Sequence, residues 1–209
     1  MSKLQFRQVG LKKGVMPKSQ GHGQALVLSQ DEANAIIEAC SPTLRAAFSF
    51  SRSTAARISE VLSLKFENVT STCVVLPKRI VKGKKKTREV PINDRLAAEF
   101  REWREKWESI YGRPPDGSDY LFPGRGEDTK NKHLTRQAAD LALRKICRDL
   151  NIDGASTHGW RCTSLSNAND AGISLRVLQA LSGHSNLDVL SRYLQTSDAQ
   201  KRQATNCFG

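Results

Sequence analysis

The 209-residue chain is notable first for what it is short of. No apolar run reaches the roughly 18 residues that a membrane-spanning helix needs, and the N-terminus has no apolar core of a secretory signal. A membrane partner is therefore not expected, and the cytoplasm is the expected compartment. Cysteine pairing is also missing. The five cysteines, Cys40, Cys73, Cys147, Cys162 and Cys207, are odd in number, widely spaced and form no Cys-x-x-Cys pair, so neither a disulfide framework nor a zinc ribbon is indicated. They read as small core residues in a reducing cell. His158 and Cys162 stand one helical turn apart, but no second pair completes a metal site, so no metal is expected. No internal repeat is visible.

Acid is scarce in two places. Residues 1–30 contain Lys3, Arg7, Lys12, Lys13 and Lys18 and no Asp or Glu. The stretch 78–89 holds Lys78, Arg79, Lys82, Lys84, Lys85, Lys86 and Arg88 against the single acid Glu89. These two blocks carry nearly all of the formal net charge of +12, and the rest of the chain is close to neutral. Two local basic blocks on a neutral body suit a polyanion, DNA or RNA.

The length fits one domain with a modest extension. Residues 1–25, rich in Gly, Lys and Gln with little periodicity, read as a basic flexible arm. Folding is expected to begin near Leu26. Ser29, Asp31 and Glu32 precede the apolar set Ala35, Ile36 and Cys40, a capped helix start. Ser41-Pro42 is expected to cap a second helix with Pro at its first position. A third short helix is expected through Arg57, Glu60, Val61 and Leu64. The β-branched stretches Ser71–Leu76 and Thr87–Ile92 flank the basic run and predict an antiparallel hairpin with a cationic connection. Asn93-Asp94 opens a helix whose Leu96, Phe100, Trp103 and Trp107 share one face. A helix over about Thr135–Leu150 follows, and His158–Leu194 reads as three helices broken near Gly172 and Gly183. The predicted class is α+β, mostly helical with one small antiparallel sheet.

Three clusters carry candidate phosphate chemistry. Arg57 and Glu60 are spaced to share a helix face. His158 and Arg161 place an imidazole beside a guanidinium in the same way. Leu181-Ser182-Gly183-His184 is followed nine residues later by Tyr193. Singly, each is an ordinary surface or packing feature.

In this order, Arg-x-x-Glu-x-Leu, a basic hairpin, His-x-x-Arg, then Leu-x-Gly-His and a tyrosine, the set resembles the catalytic domain of the tyrosine recombinases, the phage integrase family. The resemblance spans about residues 26–197, with 198–209 a polar C-terminal tail. It implies site-specific DNA strand exchange through a 3′-phosphotyrosine, without metal or cofactor and with no small-molecule substrate. Tyr193 is implied as nucleophile, Arg57 and Arg161 as stabilisers of the phosphoryl oxygens, His158 as base, and His184 as a hydrogen-bond partner of the scissile phosphate. A hairpin lysine would protonate the leaving 5′-oxygen. Lys82 fits best, but one extra residue before Arg88-Glu89-Val90-Pro91 keeps Lys84, Lys85 and Lys86 open. Glu60 is implied to orient a neighbour. Lys78, Arg79, Lys84, Lys85, Lys86 and Arg88, with Lys12 and Lys13 of the arm, are expected on DNA phosphates. Expected partners are double-stranded DNA and further copies of the chain, as a dimer on each core site and a tetramer in the synapse, in a nucleoid-associated, phage-encoded or mobile-element-encoded protein. The chain resembles the short members of the family, without the usual N-terminal core-binding domain. A type IB topoisomerase, or a non-catalytic DNA-binding accessory protein of the same fold, are the alternatives.

Overall fold

A computed structural model describes residues 27–81, 83, 86–124, 132–191 and 198–207. Lys12, Lys13, Lys82, Lys84, Lys85 and Tyr193 lie outside the described residues. The described chain is mostly helical, with one two-stranded antiparallel sheet, as the sequence predicts.

Helix α1 (Gln30–Ala39) starts at a reciprocal cap: Ser29 Oγ accepts from Glu32 N–H at 3.2 Å, and Ser29 N–H donates to Glu32 Oε2 at 2.8 Å. Helix α2 (Pro42–Thr54) begins differently from expectation. Ser41 occupies the cap position, but its hydroxyl makes no cap bond; the fixed φ of Pro42 at the first position starts the helix instead. Ala46, Ala47, Phe48, Ser49, Phe50 and Ser51 of α2 are all buried, so the middle of this helix is enclosed, while Pro42 and Arg45 in its first turn are exposed. Its small residues let α1, α4 (Asp94–Tyr111) and α6 (Thr157–Asp170) approach closely. Asn93 caps α4, accepting from Leu96 N–H at 2.9 Å, and Leu96, Trp103 and Trp107 are buried on the predicted face. Thr135 caps α5 (Arg136–Asp149).

Two contacts fix α6 on α2. The Trp160 ring lies 5.3 Å from Phe48, and its Nε1 donates to the Phe48 carbonyl at 2.9 Å. Truncating such a buried aromatic costs about 3–5 kcal/mol, against about 1 kcal/mol for the hydrogen bond, so packing holds the helix and the bond sets its register. Beyond α6, Leu165, Leu178 and Leu190 form a second small core that joins α6 to α7 (Leu175–Ser182) and α8 (Leu187–Ser191). Thus α7 is held by its Leu178 face, with its C-terminus turned toward α6.

Strands β1 (Cys73–Leu76) and β2 (Arg88–Pro91) pair with Leu76 opposite Arg88 and Val74 opposite Val90. Leu76, Val74, Val90 and Arg88 all face inward. The tail expected after residue 197 contains helix α9 (Asp198–Asn206), whose described side chains are exposed. Cys40, Cys147 and Cys162 are buried, but two cysteines depart from the expected core placement: Cys73 sits on the outward register of β1 and is half-buried, and Cys207, just beyond α9, is exposed. Among the described residues no helix is long and apolar enough to cross a membrane, and no group of three metal-ligating side chains comes together.

Candidate active site

The site is assembled where the start of α3 (Ile58–Leu62), the middle of α6, strand β2 and the C-terminus of α7 meet. Its first element is a buried turn. Ala55 ends α2 in the left-handed region at φ 49°, and Thr54 Oγ1 accepts from Ala56 N–H while Ser51 Oγ donates to the Ala56 carbonyl at 3.0 Å. These bonds hold an uncommon backbone geometry for a non-glycine residue. The turn delivers Arg57 to the N-cap of α3, one residue before the helix in which it was expected, because Glu60 reaches back to cap it. Glu60 Oε2 accepts from Arg57 N–H at 3.1 Å, and Oε1 accepts from Arg57 Nη1 at 3.0 Å.

Glu60 is 1% exposed and gathers two further guanidiniums. Arg88 Nη2 donates to its Oε2 at 2.9 Å, and Arg161 Nη1 lies 4.0 Å from the same oxygen. Burial alone pushes the Glu60 carboxyl up, but the Arg88 charge and hydrogen bond, helped by Arg57, outweigh it, and the net shift is downward. Three arginines around one carboxylate leave the cluster with a surplus of positive charge. Burial, and then the Arg57 charge, push Arg161 down to about 9, so it stays protonated at neutral pH.

The C-terminus of α7 closes the cluster. Both Arg161 Nη2, at 2.7 Å, and Arg88 Nη1, at 3.1 Å, donate to the Ser182 carbonyl, the negative end of that helix. Gly183 follows at φ 68°, and a Cβ there would run into Arg88 Nη1, so both backbone and neighbour require glycine. The turn brings His184 back over the cluster: its Nδ1 is 2.7 Å from Ser182 Oγ, and both ring nitrogens are 3.4 Å from Arg161 Nη2. Burial, followed by the Arg161 and Arg57 charges, pushes His184 down to about 4, so the ring is neutral at pH 7. His158 sits exposed one turn before Arg161 on α6, close enough for its ring to be among the groups that lower His184.

The structure thus brings together Arg57, Glu60, His158, Arg161 and His184 from three separated motifs. It differs from expectation at Arg88. Strand alternation turns this side chain inward with Val90, where it is 7% exposed and bonded to Glu60 and Ser182, instead of outward toward DNA phosphates. Lys78, Arg79 and Lys86 are exposed, with Arg79 Nη2 3.4 Å from Glu67 Oε1, and Lys78 N–H bonds Thr87 Oγ1 across the base of the hairpin. Ser182, which no motif singles out, is wholly buried and contacts three of the site residues.

Arg161 Nη1 is buried without a hydrogen-bond acceptor among the described residues. A buried guanidinium donor beside a second, 28% exposed guanidinium and a neutral imidazole is suited to an oxyanion with two open oxygens, such as a phosphodiester. A cavity of about 750 Å³ between α2 and α4 is lined by none of these residues.

The chain is 30% identical over 151 residues to the tyrosine recombinase of Pseudothermotoga lettingae, covering 72% of this chain and 48% of that protein. It is 29% identical over 146 residues to tyrosine recombinase XerD of Pasteurella multocida, covering 67% and 46%. It spans about half the length of the curated relatives it matches. Its fold is similar to that of the Tn1549 transposon integrase solved in complex with transposon right end DNA, with a TM-score of 0.71 at 15% identity over 88% of this chain and 66% of that one. The sequence model described as the phage integrase family covers residues 27–200, from the residue before Leu28 through all of the helices that build the arginine cluster, and on that match the chain belongs to the phage integrase family.

Proposed function

We propose that the chain is the catalytic part of a site-specific DNA recombinase, cutting and rejoining strands of double-stranded DNA through a 3′-phosphotyrosine. The observation that carries the reading is the buried Nη1 of Arg161, without an acceptor among the described residues, within a cluster of surplus positive charge overlooked by a neutral His184. Support also comes from the relatives named tyrosine recombinase and from the DNA-bound transposon integrase of similar fold.

In this reading the Tyr193 phenol attacks phosphorus, a P–O bond to tyrosine forms and the P–O bond to the 5′-oxygen breaks. One phosphodiester replaces another, so the reaction is reversible and needs no external energy source or cofactor. The phenolic proton passes to His158, and the 5′-oxygen takes a proton from a hairpin lysine, Lys82 or one of Lys84, Lys85 and Lys86. Arg57 and Arg161 stabilise the charge on the non-bridging oxygens, each contributing on the order of 10²–10³ in rate. His184 adds a neutral donor. Glu60 and Arg88 hold the arginines in place without touching the phosphate. Lys78, Arg79 and Lys86, with Lys12 and Lys13 of the N-terminal block, bind flanking phosphates, and the working unit is a dimer on each core site and a tetramer in the synapse. The protein acts in the cytoplasm, where DNA is accessible.

A nicked suicide substrate carrying the target site tests the reading. The native chain is expected to form a covalent adduct with a free 5′-hydroxyl, and Tyr193→Phe to form none. An adduct with Tyr193→Phe, or salt-dependent binding with no adduct from the native chain, refutes it.

A further inference from the structure

Ser182 is wholly buried at the last position of α7, and its two oxygens serve different partners. The carbonyl accepts from Arg161 and Arg88. The hydroxyl lies 2.7 Å from His184 Nδ1. The ring is uncharged at pH 7, so it carries a single N–H, and the choice of nitrogen decides whether it offers a donor or a lone pair to an anion. Arg161 Nη2 is 3.4 Å from both ring nitrogens and does not choose between them. Ser182 does.

If Nδ1 held the proton, it would donate to Ser182 Oγ, and the hydroxyl proton would have to go elsewhere. Among the described residues the other acceptor in reach is the Gln179 carbonyl at 3.5 Å, outside the range of a good O–H···O bond and already engaged by Gly183 N–H at 2.8 Å. The hydroxyl proton therefore belongs in the short contact, and Nδ1 is the acceptor. We propose that Ser182 is a positioning residue that fixes His184 in the tautomer protonated at Nε2, so that the ring presents an N–H donor to the scissile phosphate. The role toward phosphate rests on the strand-cleavage reading above; the tautomer does not. Ser182 occupies the x of Leu-x-Gly-His, the position that the motif leaves unspecified.

The chain has four histidines, so long-range ¹H–¹⁵N spectra of the full chain at pH 7 can resolve His184, assigned by its loss in His184→Gln. The expected wild-type spectrum has a bare Nδ1 and a protonated Nε2. Ser182→Ala should introduce the Nδ1–H form, and Ser182→Thr, which keeps the hydroxyl, should not. A wild-type ring protonated at Nδ1, or a Ser182→Ala ring unchanged from wild type, overturns the proposal, and the wild-type spectrum decides even if Ser182→Ala does not fold. In the suicide-substrate assay Ser182→Ala should slow adduct formation about tenfold in the native background and have no further effect in His184→Gln. An equal slowing in both backgrounds means that Ser182 acts through something other than His184, and overturns the proposal. If no chain forms an adduct, the strand-cleavage reading falls while the spectra still decide the tautomer.

Discussion

Replacing Glu60 by Gln removes one charge and almost no volume, and so isolates what the carboxylate does for the arginines. Its oxygens accept from Arg57 at 3.0 Å and Arg88 at 2.9 Å, with Arg161 at 4.0 Å. An amide in its place turns one of those acceptors into an NH₂ facing a guanidinium. The Arg88 and Arg161 side chains, 6% and 2% exposed, then keep their charges in the interior with no counter-charge, whereas Arg57 at 28% can turn to water. Removing one partner of a buried ion pair costs about 3–5 kcal/mol, a range that applies here once, to Arg88, because Arg161 is at the limit of pairing distance and Arg57 can resolvate. For a chain of this size each kcal/mol lowers Tm by about 2–4 °C, so Glu60→Gln should melt about 6–20 °C below wild type. Arg88→Met should be costly for the mirror-image reason. The double variant should cost less than the sum of the two, by about 1–3 kcal/mol, because each change removes the other's unpaired charge. Urea denaturation and thermal melts followed by circular dichroism measure all three. A Glu60→Gln protein that melts within about 2 °C of wild type, or strict additivity with Arg88→Met, refutes the idea that Glu60 is what holds the cluster. The pH dependence has a definite sign. The folded-state pKa of Glu60 is depressed below 4.5, so its stabilisation is fully present above that value and is lost as pH falls through the folded value. The gap between wild type and Glu60→Gln should narrow only on the acid side of pH 4.5.

Gly183→Ala forces a left-handed alanine against Arg88 Nη1 and should cost about 1–3 kcal/mol in chemical denaturation, with a smaller cost when Arg88→Met has cleared the space. His184 is depressed from 6.5 to about 4, so the stability tied to its neutral form is complete above pH 6.5 and lost as pH falls toward 4; the urea midpoint should drop between pH 7.5 and pH 5, and drop less in His184→Gln. Trp160→Phe removes the indole donor from the Phe48 carbonyl, which sits within α2, and should lower stability by about 0.5–1.5 kcal/mol without changing the adduct rate of the folded fraction by more than a few-fold. Deleting residues 1–25 should flatten the salt dependence of DNA binding by about 0.9 in log–log slope for each phosphate that the block neutralises, leaving cleavage by the bound chain intact; an unchanged slope would mean that the block does not touch the backbone.

What could be read from the residues alone follows the range of the interaction that decides each feature. Helices α1 and α4 were legible because their caps and their apolar stripes are local: Ser29 with Glu32, Asn93 with Leu96, and Leu96, Trp103 and Trp107 on one face. The pairing of Arg57 with Glu60 was legible for the same reason. The other partners of Glu60 arrive from β2 and α6, far along the chain, and no local spacing announces them. A hydroxyl at the end of a helix is likewise ordinary until the turn at Gly183 folds His184 back onto it, so Ser182 had no signal of its own. Arg88 did have one. Val90 is inward by hydrophobicity, and the two-residue period of a strand puts Arg88 on the same face. The basic run around it outweighed that period and made it look like one more phosphate contact. Its inward turn has a quantitative consequence for the run. Of the seven basic residues between 78 and 89, one is consumed by Glu60 inside the fold, and Arg79 is shared with Glu67 at the surface. With six cations left to face the polyanion, the hairpin can contribute no more than about 5 to the slope of log affinity against log salt, and Arg88→Met should change stability while leaving that slope where it was.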